Sequence, residues 1–154
     1  MTITGPSPDD KITSAWTDAL TNLANGFFQC ASAAATATLN LGASAADVVG
    51  ASVTVSVGGA HAFAVVTGCF DFKTTVGAGG AFLLGRLAVD GVEQPAQAPK
   101  DGATAGSEAN VAQCWLVPLA AGTHTLKLRA SANGSTSTCG LTHTTITAIV
   151  FDLP

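Results

Sequence analysis

Charged residues are scarce in this sequence, and their scarcity limits how the folded chain can meet water. Only 10% of the 154 residues are Asp, Glu, Lys or Arg, against about 25% in a typical soluble domain. A folded monomer of 15.2 kDa exposes about 7,000 Å², or roughly 440 Å² for each charge. Exposed apolar patches of about 300–600 Å² are already noteworthy on monomers. Either Ala, Thr, Ser and Gly therefore cover the surface, or part of it is buried against other subunits.

The sequence shows no basic cluster, no apolar run of membrane-spanning length and no visible secretory signal. The six Lys and Arg residues are scattered and the net charge is −4, which argues against a nucleic-acid partner. No apolar run reaches the roughly 18 residues of a membrane helix, so no membrane partner is expected. The first fifteen residues lack the basic start and apolar stretch of a secretory signal. Synthesis and folding in a cytoplasm are therefore expected.

Cysteine pairs at short spacing are absent. Cys30, Cys69, Cys114 and Cys139 stand 39, 45 and 25 residues apart, without a C-x-x-C motif. This spacing is poor for zinc and uninformative for disulfides. Buried free thiols are the simpler interpretation, and disulfide pairing after release into an oxidising medium is the alternative.

Motifs that carry chemistry are missing as well. There is no phosphate-cradling glycine loop with its lysine, no G-x-S-x-G elbow and no suggested carboxylate pair. His124 and His143 each lie in Thr-His-Thr near a predicted strand start. Hydroxyl-bonded histidines are the simpler interpretation, and a metal site shared by three copies on a threefold axis is the alternative. We expect no enzymatic activity and no cofactor.

The first thirty residues carry a helical pattern. Ser7-Pro8-Asp9-Asp10 is typical of a helix start, and Asn25-Gly26 is typical of a helix end. Between them apolar residues recur at steps of three and four. We predict a helical segment over residues 1–30 that contacts the virion or sister subunits through Trp16, Leu20, Leu23, Phe27 and Phe28.

The rest of the chain changes to a period of two. An alanine-rich linker is predicted over residues 31–46, followed by a β-sandwich over residues 47–154. Asp90-Gly91 is a strong hairpin signal, Gly68 indicates a bulge or a bend, and residues 95–106 are predicted as a loop. Turn signals every 8–15 residues predict an all-β, antiparallel β-sandwich or jelly roll with a short N-terminal helical segment. The predicted strands are residues 53–57, 60–72, 81–89, 111–119, 123–131 and 142–153.

Part of the sequence resembles a recurrent pattern in tailed-bacteriophage structural proteins. The matching residues are Val89-Asp90-Gly91, residues 119–128 (LAAGTHTLKL) and residues 142–152 (THTTITAIVFD). The resemblance covers roughly residues 45–152. It implies a trimeric jelly roll related to the tumour-necrosis-factor and complement type, as in capsid decoration proteins, head fibres and tail modules.

The resemblance and the low charge together predict a non-enzymatic virion protein made in a host cytoplasm. The first expectation is a capsid decoration or minor capsid protein that forms a homotrimer and binds the major capsid protein or other virion proteins. A phage tail or fibre component is the alternative, followed by a binding module unrelated to phage. The candidate contact strands are the uncharged residues 53–66 and 146–151. The apolar residues of the predicted N-terminal helix, which we call the N-terminal stripe, are expected to contribute as well.

Overall fold

The computed structural model describes residues 28–59 and 61–153, and within them every regular element is a β-strand. These residues contain no helix, and so none long and apolar enough to cross a membrane. The strands are β1 (Phe28–Ala34), β2 (Leu39–Leu41), β3 (Ala46–Val57), β4 (His61–Val76), β5 (Phe82–Val89), β6 (Val92–Asp101), β7 (Glu108–Leu119), β8 (Gly122–Asn133) and β9 (Thr136–Leu153).

The strands form two antiparallel sheets that pack face to face. The five-stranded sheet has the order β1-β9-β4-β7, with β2 also paired to β9. The four-stranded sheet has the order β3-β8-β5-β6. The predicted all-β antiparallel sandwich is therefore confirmed.

Local sequence explains several of these strands. Val53, Val55 and Val57 alternate with polar residues and point into the core from β3. Asp90 and Gly91 both have positive φ, 51° and 85°, as a two-residue hairpin turn of type I′ requires. The predicted hairpin between β5 and β6 is confirmed.

The core lies between the two sheets and is formed by aliphatic and aromatic side chains. Phe70 and Phe72 are fully buried, with their rings stacked at 5.5 Å between centroids. Trp115 donates its indole N–H to the carbonyl of Ala96 at 2.8 Å, which ties β7 to β6 across the sandwich. The other fully buried large side chains include Leu83, Leu87, Leu126, Leu128 and Ile146.

Three predicted loop or linker segments are strands instead. Residues 31–34, assigned to a linker, belong to β1 and pair with β9. Residues 95–101, assigned to a loop, belong to β6, where Pro95 and Pro99 are tolerated because β6 is an edge strand. The interval between the predicted strands 123–131 and 142–153 is also mostly strand, because β8 extends to Asn133 and β9 already begins at Thr136.

Of the bulge or bend predicted at Gly68, the bulge is absent, because Gly68 pairs in regular register with Gln113 and Ile146. The register shift between β4 and β9 comes later, between Cys69 and Asp71. Packing explains the glycine instead. A Cβ at this position would lie 2.8 Å from Leu128 and 3.0 Å from Trp115.

Candidate interaction surface

The outer face of the five-stranded sheet carries no charged side chain over four successive rows of residues. Each row crosses the four long strands in the order β1, β9, β4, β7, and we call these sixteen positions the uncharged face. The rows are Phe28, Phe151, Phe63 and Pro118; Cys30, Ile149, Val65 and Leu116; Ser32, Thr147, Thr67 and Cys114; and Ala34, Thr145, Cys69 and Ala112.

The period of two along each strand creates this face. In β4, Ala62, Ala64 and Val66 are buried in the core, so Phe63 and Val65 between them point outward. The other long strands alternate in the same way, and the antiparallel register aligns their outward residues into rows.

The first two rows form the apolar end of the uncharged face. The ring of Phe63 stacks on Phe151 at 4.7 Å, and Phe28 meets Phe151 edge-on at 5.2 Å. In the next row Leu116 is 71% exposed and Ile149 is 40% exposed. The third and fourth rows contain only Thr, Ser, Ala and Cys. A single chain therefore leaves large apolar side chains in water at one end of the face.

Charged residues concentrate on the outer face of the opposite, four-stranded sheet. Arg86 and Arg129 are cross-strand partners, and their like charges are bridged by Glu93 at 3.1 and 2.6 Å. Asp47 accepts a hydrogen bond from Lys127 at 2.7 Å and lies 3.1 Å from Arg129. The hydrogen bond from Lys127 is the main reason that the pKa of Asp47 is lowered. The uncharged face therefore differs sharply in charge from the opposite outer face, and on the outer side of its own sheet the described charges appear beyond its fourth row, at Asp71, Lys73 and Glu108.

Asp90, in the turn of the β5–β6 hairpin, is hydrogen-bonded to His124 and Thr125 near the start of β8. His124 Nδ1 lies 2.7 Å from Asp90 Oδ2, and its Nε2 lies 2.8 Å from the carbonyl oxygen of Ala120. Both neighbours are acceptors, so only the protonated imidazolium can donate to both. The Asp90 hydrogen bond, followed by that of Ala120, raises the pKa of His124. Asp90 also accepts the N–H of Thr125 at 2.8 Å, and its pKa is lowered, chiefly by His124.

His143 lies in an exposed part of β9, with Nδ1 3.6 Å from Asp71. The sequence suggested a position near a strand start, but His143 lies well inside β9. The ring nitrogens of His124 and His143 contact carboxylate and carbonyl oxygens, not the hydroxyls that were expected. Within residues 28–59 and 61–153 no three His, Cys, Asp or Glu side chains are grouped to hold a metal ion.

Lys100 is the one buried lysine among the described residues, with 7% of its surface exposed. Its ammonium donates to Thr74 Oγ1 at 3.1 Å, to the carbonyl of Asp101 at 3.0 Å and to Ser107 Oγ at 3.2 Å. These three acceptors match the three donors of the group. The lysine therefore joins the end of β6 to β4 and to the loop before β7.

The four cysteines occupy different environments, and only one is a buried thiol. Cys139 is fully buried, and burial raises the pKa of its thiol to about 11. Cys30 and Cys114 are exposed and Cys69 is half-buried. The prediction of buried free thiols is therefore correct for Cys139 and wrong for the two exposed cysteines. None of the four is in a disulfide.

The predicted contact residues are divided by the structure. Trp16, Leu20, Leu23 and Phe27 lie outside the described residues. Phe28 is not helical but is the first residue of β1, where it joins the apolar end of the uncharged face.

The predicted contact strands are likewise divided. Residues 53–57 belong to the opposite sheet, with three valines buried in the core. Residues 61–66, in β4, and residues 146–151, in β9, do contribute to the uncharged face. Sequence analysis missed the contribution of β7, although the uncharged alternation of residues 111–119 could have indicated it.

No protein-family model and no curated protein sequence matches the chain. Solved structures match it in fold. Murine APRIL aligns with a TM-score of 0.53 and 7% identity, over 79% of this chain and 98% of APRIL. The VP2 subviral particle structure of infectious bursal disease virus aligns with a TM-score of 0.54 and 15% identity, over 81% of this chain. This chain spans only 33% of that VP2 chain. The likeness is of fold alone: a jelly-roll sandwich of the kind found in a tumour-necrosis-factor-like protein and in a viral particle protein.

Proposed function

We propose that this chain is a non-enzymatic structural protein of a virion, a capsid decoration or minor capsid protein that binds the phage shell as a homotrimer. The observation that carries the proposal is the uncharged face. A domain that worked alone would gain solubility from charges spread over its surface, yet these sixteen positions carry none, and the Lys73–Glu108 ion pair of the same sheet lies beyond the fourth row. We infer that the uncharged face is buried between copies.

The size of the uncharged face supports burial against a second copy. Four strands about 4.8 Å apart and four rows about 6.7 Å apart cover roughly 500 Å². Only the apolar end of the face, its first two rows, is comparable with an apolar surface patch, and it covers about half of this area. Two such faces in contact bury about 1,000 Å², the lower limit for a specific interface.

The order of the rows also fits copies of the same chain. A rotation axis within about 30° of the strand direction brings equal or adjacent rows together. The phenylalanine row then meets its own copies, and the Thr and Ser row meets hydroxyl-bearing neighbours. The resemblance to trimeric phage jelly rolls sets the expected number of copies at three.

Attachment to the shell is assigned to the N-terminal stripe of Trp16, Leu20, Leu23 and Phe27. Since β1 begins at Phe28 in the outermost row of the uncharged face, residues 1–27 of all copies join the trimer at the same end. Three apolar stripes at one end offer a multivalent contact with the major capsid protein. The protein is expected in the virion, after synthesis and assembly in the host cytoplasm.

The test is to image particles made with the full chain, without it, and with a chain that lacks residues 1–27. Truncation should stop before Phe28, since deleting β1 residues would damage the sheet. We expect knobs on the head with the full chain, none without it, and a truncated protein that remains trimeric but does not bind particles. Density on the tail would favour the tail or fibre alternative. Normal incorporation of the truncated protein would contradict the anchoring role.

A further inference from the structure

Two exposed cysteines lie at opposite edges of the uncharged face. Cys30 is in β1 and Cys114 is in β7, the two outermost long strands of the five-stranded sheet. Both side chains point to the outer side, in the second and third rows. They are the two exposed thiols among the four cysteines, all of which lie in the described part of the chain.

The two thiols cannot meet within one chain. The strands β9 and β4 separate β1 from β7, so three strand spacings, about 14 Å, lie between them. A disulfide requires Cα atoms within about 7 Å. Any bond between Cys30 and Cys114 must therefore join different copies.

A closed ring of copies brings these two edges together. In cyclic assemblies of three, each interface is heterologous, so one edge of a copy meets the opposite edge of the next. Here the β1 edge would meet the β7 edge. Cys30 and Cys114 differ in height by one row, about 6.7 Å, across the roughly 14 Å between their strands, so a tilt of the strands of about 25° from the rotation axis would bring them to the same height.

We propose that Cys30 of one copy and Cys114 of the next form a disulfide that locks the ring when the assembled protein meets an oxidising medium. The inference rests on the proposed self-association. With a small-molecule disulfide such as oxidised glutathione as the oxidant, one cysteine thiolate attacks it and releases one glutathione thiolate. The second cysteine then attacks the protein sulfur of the mixed disulfide and releases the other. Two protein thiols are oxidised, one glutathione disulfide is reduced to two thiols, and no other reactant is needed.

The experiment exposes the full chain to oxidised glutathione, blocks remaining thiols with N-ethylmaleimide and separates the products on a denaturing gel without reductant. We expect bands of two and three linked chains and a Cys30–Cys114 peptide by mass spectrometry. Cys69→Ser is the matched control, because Cys69 lies on the same face but in the inner strand β4, and it should cross-link like the natural chain.

Single variants then test which cysteines pair. Cys30→Ser and Cys114→Ser should each give no cross-link alone, whereas co-expression of the two with different tags should give a linked pair. A linked dimer from either variant alone would indicate identical cysteines meeting across a twofold axis, and would overturn the proposal.

Light scattering on the reduced protein distinguishes a failure of the disulfide proposal from a failure of the proposed self-association. A mass of three chains without any cross-link would reject the disulfide and leave the trimer intact. A monomeric mass would reject the self-association and the disulfide with it.

Discussion

Phe63 and Phe151 stack on the outside of the five-stranded sheet, with 4.7 Å between ring centroids and ring planes 13° apart. Phe28 closes the cluster by meeting Phe151 edge-on at 5.2 Å. Aromatic pairs of this kind stabilise a structure beyond the area they bury. Here they form a rigid apolar surface that faces away from the core. Such a surface is suited to contact with another chain, because little side-chain freedom remains to be lost on binding.

A charge placed on the uncharged face should separate the copies without unfolding them. Leu116 is 71% exposed, so Leu116→Lys removes little packing within one chain. Burial of its ammonium in the interface, without a partner, is strongly unfavourable. We expect the mass in solution to fall from three chains to one, with an unchanged β-sheet circular dichroism spectrum.

The control for this variant is Val92→Lys, at a residue that is 67% exposed on the β5–β6 hairpin. It adds the same charge away from the uncharged face and should leave the mass at three chains. An equal loss of association in both variants would assign the effect to net charge and contradict the proposed interface.

Stability should depend on pH through His124 and Asp90. The Asp90 and Ala120 hydrogen bonds raise the pKa of His124 above its ordinary 6.5. The protonated imidazolium therefore contributes fully to the free energy of unfolding below about pH 6.5, and this contribution is lost as the pH rises through the raised pKa of the folded state. At the acid end, the lowered pKa of Asp90 preserves its contribution until the pH falls below its ordinary 3.8. We expect urea midpoints of the natural chain to decrease as the pH rises from 6.5 toward 8.5.

His124→Gln should flatten this pH dependence, since the amide does not titrate. His143→Gln is the matched control, because Nδ1 of His143 lies 3.6 Å from the nearest carboxylate, Asp71. The control should keep the slope of the natural chain. A slope that survives in His124→Gln would show that another group titrates in this range.

Replacement of the buried lysine should destabilise the sandwich. Lys100→Met keeps an unbranched side chain that is one atom shorter, but it leaves the fully buried Thr74 hydroxyl without its donor. We expect the free energy of unfolding to fall by about 1–3 kcal/mol. Lys73→Met is the control, because Lys73 forms an exposed ion pair with Glu108 and such pairs contribute little to stability. Urea titrations at equal protein concentration give the comparison, since association itself adds stability.

Gly85 should not tolerate even alanine. A Cβ at Gly85 would overlap the ring of Phe70, which is fully buried. Overpacking of this kind costs about 1–3 kcal/mol. Gly79→Ala should be harmless by the same measurement, because no atom lies within 4 Å of its added Cβ. Equal stability of the two variants would show that the ring of Phe70 can shift to make room for the added methyl group.

Alternating and turn-forming residues made much of this fold predictable. Leu126 and Leu128 point inward while Lys127 and Arg129 point outward, as the sequence of β8 predicts. The turn at Asp90 and Gly91 followed from residues that accept positive φ. These features depend on short stretches of sequence and elementary geometry.

The segments that were wrongly predicted lack such local signals. Residues 31–34 are Ala and Ser, which have no preference for strands, and they extend because β9 offers a pairing edge. Pro95 and Pro99 are typical of loops, and they occur in a strand here only because β6 is at the edge of its sheet. The uncharged face itself depends on register between strands far apart in sequence. Its rows join residues from Phe28 to Phe151, which no local pattern specifies.

Light scattering of the reduced full chain, across a dilution series, is the most direct test of burial of the uncharged face between copies. The account predicts a mass near three times 15.2 kDa, with dissociation only on strong dilution or in Leu116→Lys. A stable, soluble mass of 15.2 kDa at all concentrations would contradict it.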